Sequence, residues 1–333
     1  MAVEVEGRVE PGHHFVVEVA CAVLLVAVCV LVVARDVVPL SAQPTPDATS
    51  YAHLAENLGH GSGYEVDIAG EPEGSRYPPG FPVMLAPILR AGVPVERAAQ
   101  GFTVALIVAV WALARRIGGP AAGGVAVVVL ATSEALMEQS SYVMADVAGA
   151  LVTVLAGWCV VSGHNQIAGV LAGWAAWTRL AAVVAIAGMR RRAWLPFSLV
   201  VLALAVVKLR TGFGYRGGQI EWSIGNAFSD AALASNVTRG GNLWAYLTAL
   251  AGVGGSLTVP GVMAVAVWGA WRLPGGRWAL AASAATVAVY VPYFWQAERF
   301  MFPVLALGAV YAGGGVAHLA ESVSTRRLAP EGR

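Results

Sequence analysis

The chain has 333 residues, 57% of them hydrophobic and only 12% charged, with a mean hydropathy of +0.66 and a formal net charge of +1. Soluble domains carry about 25% charged residues, so this chain lacks the charge to cover a water-facing surface and reads as an integral membrane protein. A balance so close to neutral offers no basic field for nucleic acid, which is excluded as a partner.

Cys21, Cys29 and Cys159 lie in apolar runs without a CxxC pair or zinc spacing, and read as packing residues. The first apolar run, Phe15 to Ala34, is long enough to cross a hydrocarbon core of about 30 Å. The stretch before it, MAVEVEGRVEPGHH, holds more acid than base. That argues for a retained transmembrane helix rather than a cleaved signal.

Apolar runs follow at 97–114, 119–137, 142–162, 165–178, 180–189, 193–209, 243–271, 278–295 and 300–318. Most can span a bilayer, but the pair 165–178 and 180–189 is short for two ideal crossings. Positive charge arbitrates, because Arg and Lys collect in cytoplasmic loops. If 165–189 crosses twice, Arg115–Arg116, Arg190–Arg192, Arg272 with Arg277, and Arg326–Arg327 share one side. The expectation is an all-α polytopic membrane protein with about ten transmembrane helices and cytoplasmic N- and C-termini. It is expected to form a single domain over 1–333, without a soluble C-terminal domain. Its long first loop, 36–95, and its second large loop, 210–242, are then extracytoplasmic.

Within the first loop, PTPDATSYAHLAENLGHGSG predicts a short interfacial helix. Pro46 and Asp47 suit its start, and Tyr51, Leu54 and Leu58 recur on one face. The segment SRYPPGFPVMLAPIL enters stiffly through Pro78 and Pro79 into an apolar stretch, 81–92, that is too short to cross.

Few polar residues remain at membrane level. Asp47 reads either as a helix cap or as a general base toward a hydroxyl. Asp146, one turn inside its span, is a functional candidate or an interfacial acid that reaches back to water. Glu134 and Glu138 lie nearby on the same side. Arg179, between two apolar stretches, and Arg299, beside Glu298 at the start of the last span, suit phosphate binding or interfacial anchoring. His53 and His60 leave a divalent cation open in principle but are weak evidence for one, so no metal site is assigned. Asn236-Val-Thr matches a glycosylation acceptor pattern that means little outside a eukaryotic secretory context.

In order along the chain stand an Asp within a Tyr/Ala/Leu helix, a YPP segment, and Ser-Tyr-x-Met-x-Asp. Then follow G-x-x-x-G-W-A-A-W-T-R and, late on, E-R-F-x-x-P. This series resembles the polytopic C-type glycosyltransferase superfamily. Within it, the series looks most like relatives of protein mannosyltransferases and of the bacterial aminoarabinose-to-lipid-A transferases. The resemblance implies roles for residues at matching positions. Asp47 would be the catalytic base and Asp146 the acid of the second external loop, shaping the acceptor or donor site. Tyr77, Pro78 and Pro79 would order the first loop, with Tyr51 and Glu298 near the acceptor side. Arg299 would face a lipid phosphate, and Arg179 would occupy the family's basic position at the outer end of a middle span.

It further implies a sugar donor on a polyprenyl phosphate and a lipid, glycan or protein acceptor. The sugar would be mannose-like or a pentose, moved with inversion at the outer face of a bacterial plasma membrane. No cofactor beyond the lipid-linked donor is expected. Two other classes stay open: a transporter or flippase of a lipid-linked or small polar substrate, and a non-catalytic membrane partner with the same fold.

Overall fold

The structure, a computed structural model, describes residues 11–44, 47–68, 71–75, 77–211, 260–290 and 298–328. Residues 212–242 of the loop expected at 210–242, Pro46 and most of the 243–271 run lie outside these described residues, and Asn236 with them.

The chain opens with α1 (Pro11–Ala34), whose only charged residue is Glu18. Val23, Val26, Val30 and Leu31 of α1 are exposed, as a lipid-facing helix requires. The first loop then forms α2 (Asp47–His60), the strands β1 (Glu65–Ile68) and β2 (Glu71–Gly74), and α3 (Gly80–Arg90). α2 buries Tyr51, Leu54 and Ala55, the face the spacing predicts. The antiparallel hairpin, which pairs Glu65 with Gly74 and Ile68 with Glu71, departs from the all-α expectation. Four-residue strands leave too little periodicity to read against the helices around them.

α4 (Val95–Ala131) is one run of helix only in name. Gly118 and Gly119 leave helical geometry, Gly119 with φ +78°, and Pro120 follows. A Cβ on Gly123 would lie 2.9 Å from the Trp111 ring and 3.2 Å from the Trp111 carbonyl. Twelve residues of straight helix would separate these positions by about 18 Å. The run is therefore a helical hairpin, as expected from the break between 97–114 and 119–137. The second arm stops at Ala131, and α5 (Glu134–Gln139), capped by Ser133, continues separately.

α6 (Ala145–Val161) and α7 (Asn165–Thr178) follow, then a tight 3-10 segment, Leu180–Ile186, and α8 (Arg191–Thr211). Gly169 abuts Ala193, Gly173 abuts Phe197 and Val200, and the Trp177 indole donates to the Val200 carbonyl at 2.9 Å. Partners that advance together mean that α7 and α8 run parallel. The intervening 180–190 must carry the chain back across the bundle. A 3-10 turn rises about 2.0 Å per residue against 1.5 Å for an α-helix, so this return needs few residues. The Trp278 indole fixes it by donating to the Ala185 carbonyl at 2.9 Å.

α9 (Pro260–Arg272), α10 (Gly276–Tyr290), a short 3-10 turn (Glu298–Met301) and α11 (Phe302–Leu328) complete the described chain. α11 is the central element. Leu305, Ala306, Val310 and Ala312 are buried, and a Cβ on Gly313 would come within 2.2 Å of the Ala122 carbonyl. Among the described residues, four helical segments are long and apolar enough to cross a membrane: Phe15–Ala34, Val95–Ala131, Arg191–Arg210 and Arg299–Val323.

The two ends of the bundle differ in charge. Arg115 pairs with Glu18, Gly118 abuts Gly314, Gly314 meets Leu273, Gly275 touches Val161, and Gly188 approaches the Arg277 carbonyl. These contacts gather Arg115–Arg116, Arg190–Arg192, Arg272 and Arg277 at one end. Asp47, Asp146, Arg179 and Arg299 occupy the other.

The α4–α11 approach leaves no room for a side chain. Gly313→Val should destabilise the protein by at least about 1–3 kcal/mol, read as a lower melting temperature in detergent. Gly101→Ala, on a helix face with nothing within 4 Å, should be neutral or stabilising by up to about 1 kcal/mol.

Candidate functional site

Asp47 is the first residue of α2, and Asp146 is the second residue of α6. Each carboxylate therefore sits in a first helical turn, where the partial positive helix end favours it. Arg179 follows α7 in extended backbone (φ −151°, ψ 116°), where the chain turns back. Arg299 lies in the 3-10 turn that feeds α11.

These four residues form a chain of alternating charge. Arg179 Nη1 lies 2.9 Å from Asp146 Oδ1, Arg299 Nε 3.4 Å from Asp146 Oδ2, and Arg299 Nη2 3.8 Å from Asp47 Oδ2. The side chain of Asp146 is 1% exposed, against 13% for Arg299, 15% for Arg179 and 24% for Asp47. The Arg179–Asp146 contact is close but not aligned. Among the described residues, neither Asp146 oxygen nor Arg299 Nε has a hydrogen-bond partner of good geometry. The pairing is thus largely coulombic, and buried hydrogen-bonding capacity remains at its centre.

Aromatic rings frame the network. Phe300 lies under the Arg179 guanidinium at 4.4 Å and stacks on Tyr290 at 4.6 Å. Arg179 Nε donates to the Tyr290 hydroxyl at 3.4 Å. Arg299 also reaches the Met144 sulfur at 3.6 Å. A narrow cleft leads from these charges between α6, the 3-10 return, α10 and α11. Gly149, Ala181, Ala182, Ala185 and Ala282 line it with small groups. The Thr153 and Thr286 hydroxyls in its wall donate to their own helix carbonyls, so apart from Ser283 the wall is mostly apolar.

The first loop is stitched to this end of the bundle. Val38 N–H donates to the Ser141 carbonyl at 3.2 Å, and Val143 N–H donates to Gln43 Oε1 at 3.1 Å. The turn before Asp146 and the segment before Asp47 are thereby held together. The Tyr77 hydroxyl donates to Asp47 Oδ1 at 2.5 Å. Tyr77 packs on Tyr51, and Tyr51 on Phe81, with ring centroids 4.8 and 5.2 Å apart. Pro78 and Pro79 are buried, and Pro79 precedes α3. A Cβ on Gly80 would come within 2.4 Å of the Trp177 carbonyl carbon, so the YPPG segment lies directly on the end of α7. Burial pushes the Tyr64 phenol well above the usual tyrosine range, so Tyr64 acts as a neutral donor.

The structure thus brings Asp47, Asp146, Arg179, Arg299, Tyr51 and Tyr77 to one place. Glu298 begins the 3-10 turn, but its side chain lies outside the described residues. Glu134 and Glu138 are exposed on α5, and Glu138 accepts from Tyr142 at 3.0 Å. His53 and His60 both stand exposed on α2. Seven helical residues separate them by about 10 Å along the axis, too far to share one ion. Among the described residues no group of three His, Cys, Asp or Glu is placed to hold a metal. Sequence reasoning missed Gln43, Tyr290 and Phe300, whose contacts span long stretches of chain.

No protein-family model and no curated protein matches the sequence. Solved structures do match. ArnT from Cupriavidus metallidurans bound to undecaprenyl phosphate superposes with a TM-score of 0.66 at 16% identity, over 96% of this chain and 63% of that one. The fold is that of the polytopic C-type glycosyltransferases. The apo form of the same ArnT gives a TM-score of 0.59 at 14% identity, over 94% of this chain and 61% of that one. The Archaeoglobus fulgidus oligosaccharyltransferase tethered to an acceptor peptide gives 0.58 at 15%, over 97% and 51%. This chain spans less than two thirds of the length of each C-type structure. At these identities the likeness establishes the fold.

Removing one member of the buried pair leaves the other uncompensated. Asp146→Ala should cost about 3–5 kcal/mol. Asp146→Leu combined with Arg179→Met should recover much of that, measured by thermal unfolding in detergent.

Proposed function

We propose that this protein is a membrane glycosyltransferase that moves a sugar from a polyprenyl-phosphate donor to an acceptor hydroxyl. The reaction takes place at the extracytoplasmic face of a bacterial plasma membrane. The observation that carries the reading is the convergence of two carboxylates and two arginines at the bundle end opposite the arginine clusters. Positive clusters favour the cytoplasmic side, which supports reading the charged network and the first loop as extracytoplasmic.

Arginine recognises phosphate oxygens through parallel N–H donors. Arg299, with Arg179 behind it, would receive the donor phosphate, and the apolar cleft would take the adjoining isoprenoid carbons. Asp47 accepts the acceptor's hydroxyl proton as that oxygen attacks the anomeric carbon. The bond from this carbon to the phosphate oxygen breaks on the opposite face, which inverts the centre. The polyprenyl phosphate leaves with its charge held by the arginines, so the chemistry combines a general base with electrostatic stabilisation. Support for a lipid-phosphate donor comes from the fold shared with the ArnT structure that holds undecaprenyl phosphate. The sugar is proposed to be mannose-like or a pentose, and the acceptor a lipid, glycan or protein.

Membranes containing the protein, supplied with undecaprenyl-phosphate-linked labelled hexoses and pentoses, should show sugar transfer. Asp47→Asn should lower that rate about 10²–10⁴-fold while undecaprenyl phosphate still binds. Wild-type rates from Asp47→Asn would overturn the base assignment. Arg299→Gln should instead weaken donor binding, seen as a higher KM.

A further inference from the structure

A carboxylate that acts as base must present one oxygen along a defined line to the incoming hydroxyl. Asp47 sits on the first turn of a surface helix, with its side chain 24% exposed and Arg299 no closer than 3.8 Å. The arginine is too distant to orient it. A close contact on Asp47 is the Tyr77 hydroxyl, which donates to Oδ1 at 2.5 Å. That bond engages Oδ1, and Oδ2 is the oxygen that faces Arg299.

Tyr77 is itself held on every side. Its ring lies against Tyr51, which packs edge-on against Phe81, and Phe81 in turn meets Phe102 of α4. Its carbonyl accepts from the Tyr64 hydroxyl at 2.9 Å, and its N–H donates to Ser75 Oγ at 3.0 Å. Tyr64, Ser75 and Tyr77 are all buried. Tyr64 and Ser75 flank the β-hairpin at 65–74, so both hairpin ends are tied to the tyrosine. Three residues after Tyr77, Gly80 lies against the backbone of Trp177 and Thr178, beside Arg179. Little of this is needed to fold a loop. It places one phenol on one carboxylate, from a scaffold shared with the arginine end of the network.

We infer that Tyr77 is a positioning residue of the transfer reaction, acting through Asp47, and that Tyr64 and the hairpin it anchors hold Tyr77 in place. The inference rests on the reading of Asp47 as base. Misplacing a catalytic group by about 1 Å can cost 10²-fold in rate, so the loss should fall on turnover rather than on donor binding.

The test compares Tyr77→Phe, Tyr64→Phe and Asp47→Asn in detergent-purified protein. The probes are the undecaprenyl-phosphate sugar that wild type turns over and undecaprenyl phosphate alone for binding. Tyr77→Phe keeps the ring and its packing, so the melting temperature should shift only slightly. Its kcat should fall roughly 10–100-fold, with donor KM and undecaprenyl phosphate affinity within about twofold of wild type. Tyr64→Phe should lower kcat in the same sense by a smaller factor. In the Asp47→Asn background, Tyr77→Phe should have no further effect, because the two residues act as one unit.

Tyr77→Phe with kcat within twofold of wild type, or with its loss confined to KM, overturns the positioning role while Asp47→Asn inactivity leaves the base intact. Full activity in Asp47→Asn overturns the base, and the positioning role with it. A wild type that transfers no sugar from any donor offered overturns both.

Discussion

The alternating chain Arg179–Asp146–Arg299–Asp47 is the constraint around which the rest of this molecule is arranged. Two positive and two negative groups at the edge of an apolar bundle cancel, which makes their burial tolerable. The most buried of them, Asp146, has an arginine against each oxygen. Asp47, the most exposed, accepts a hydrogen bond from the Tyr77 hydroxyl. The chain is graded: a tightly compensated interior end supports an accessible end where a carboxylate can exchange a proton. A phosphate at Arg299 would compete with Asp47 for the guanidinium, so on the proposed mechanism donor binding and exposure of the base would be linked through one side chain.

Close backbone approach makes the arrangement possible. Gly80 brings the YPPG segment onto the end of α7, and Gly149 leaves the Thr178 hydroxyl 3.4 Å from where its Cβ would stand. Gly169 and Gly173 seat α8 on α7, and Gly313 seats α11 on the α4 hairpin. In a membrane, where water exclusion does little to join helices, such small-residue contacts are a principal source of packing. They fix where Arg179 and Arg299 emerge, although these residues lie far apart in the chain. The 3-10 return at 180–186, lined with alanines, leaves the cleft beneath the charges open.

Much of this was legible in the sequence, for identifiable physical reasons. A charge in a nearly uncharged chain stands out, so Asp47, Asp146, Arg179 and Arg299 could be picked out without any structure. The apolar runs located α1, α6, α7 and α8 to within a few residues, and the starts of α10 and α11. Pairwise geometry was not legible. Nothing in the spacing of Gln43 and Val143, or of Arg179 and Tyr290, announces that they touch, because those contacts depend on how helices cross. The hairpin at 65–74 was hidden for a different reason: its strands are short and its polar residues read as loop. The short pass at 180–189 was visible as a length problem. Its solution, a 3-10 segment between two parallel helices, depends on the glycine face of α7 on which α8 sits.

The central claim is that a lipid phosphate enters the charged network at this end of the bundle. The most direct measurement is the position of the phosphorus in an experimental structure of the protein with undecaprenyl phosphate. The account predicts phosphate oxygens at about 2.7–2.9 Å from the Arg299 guanidinium, with the first isoprenoid carbons entering the alanine-lined cleft. A phosphate seated at the opposite end, among Arg115, Arg190 and Arg272, or one that leaves Arg299 in place between Asp47 and Asp146, would contradict it.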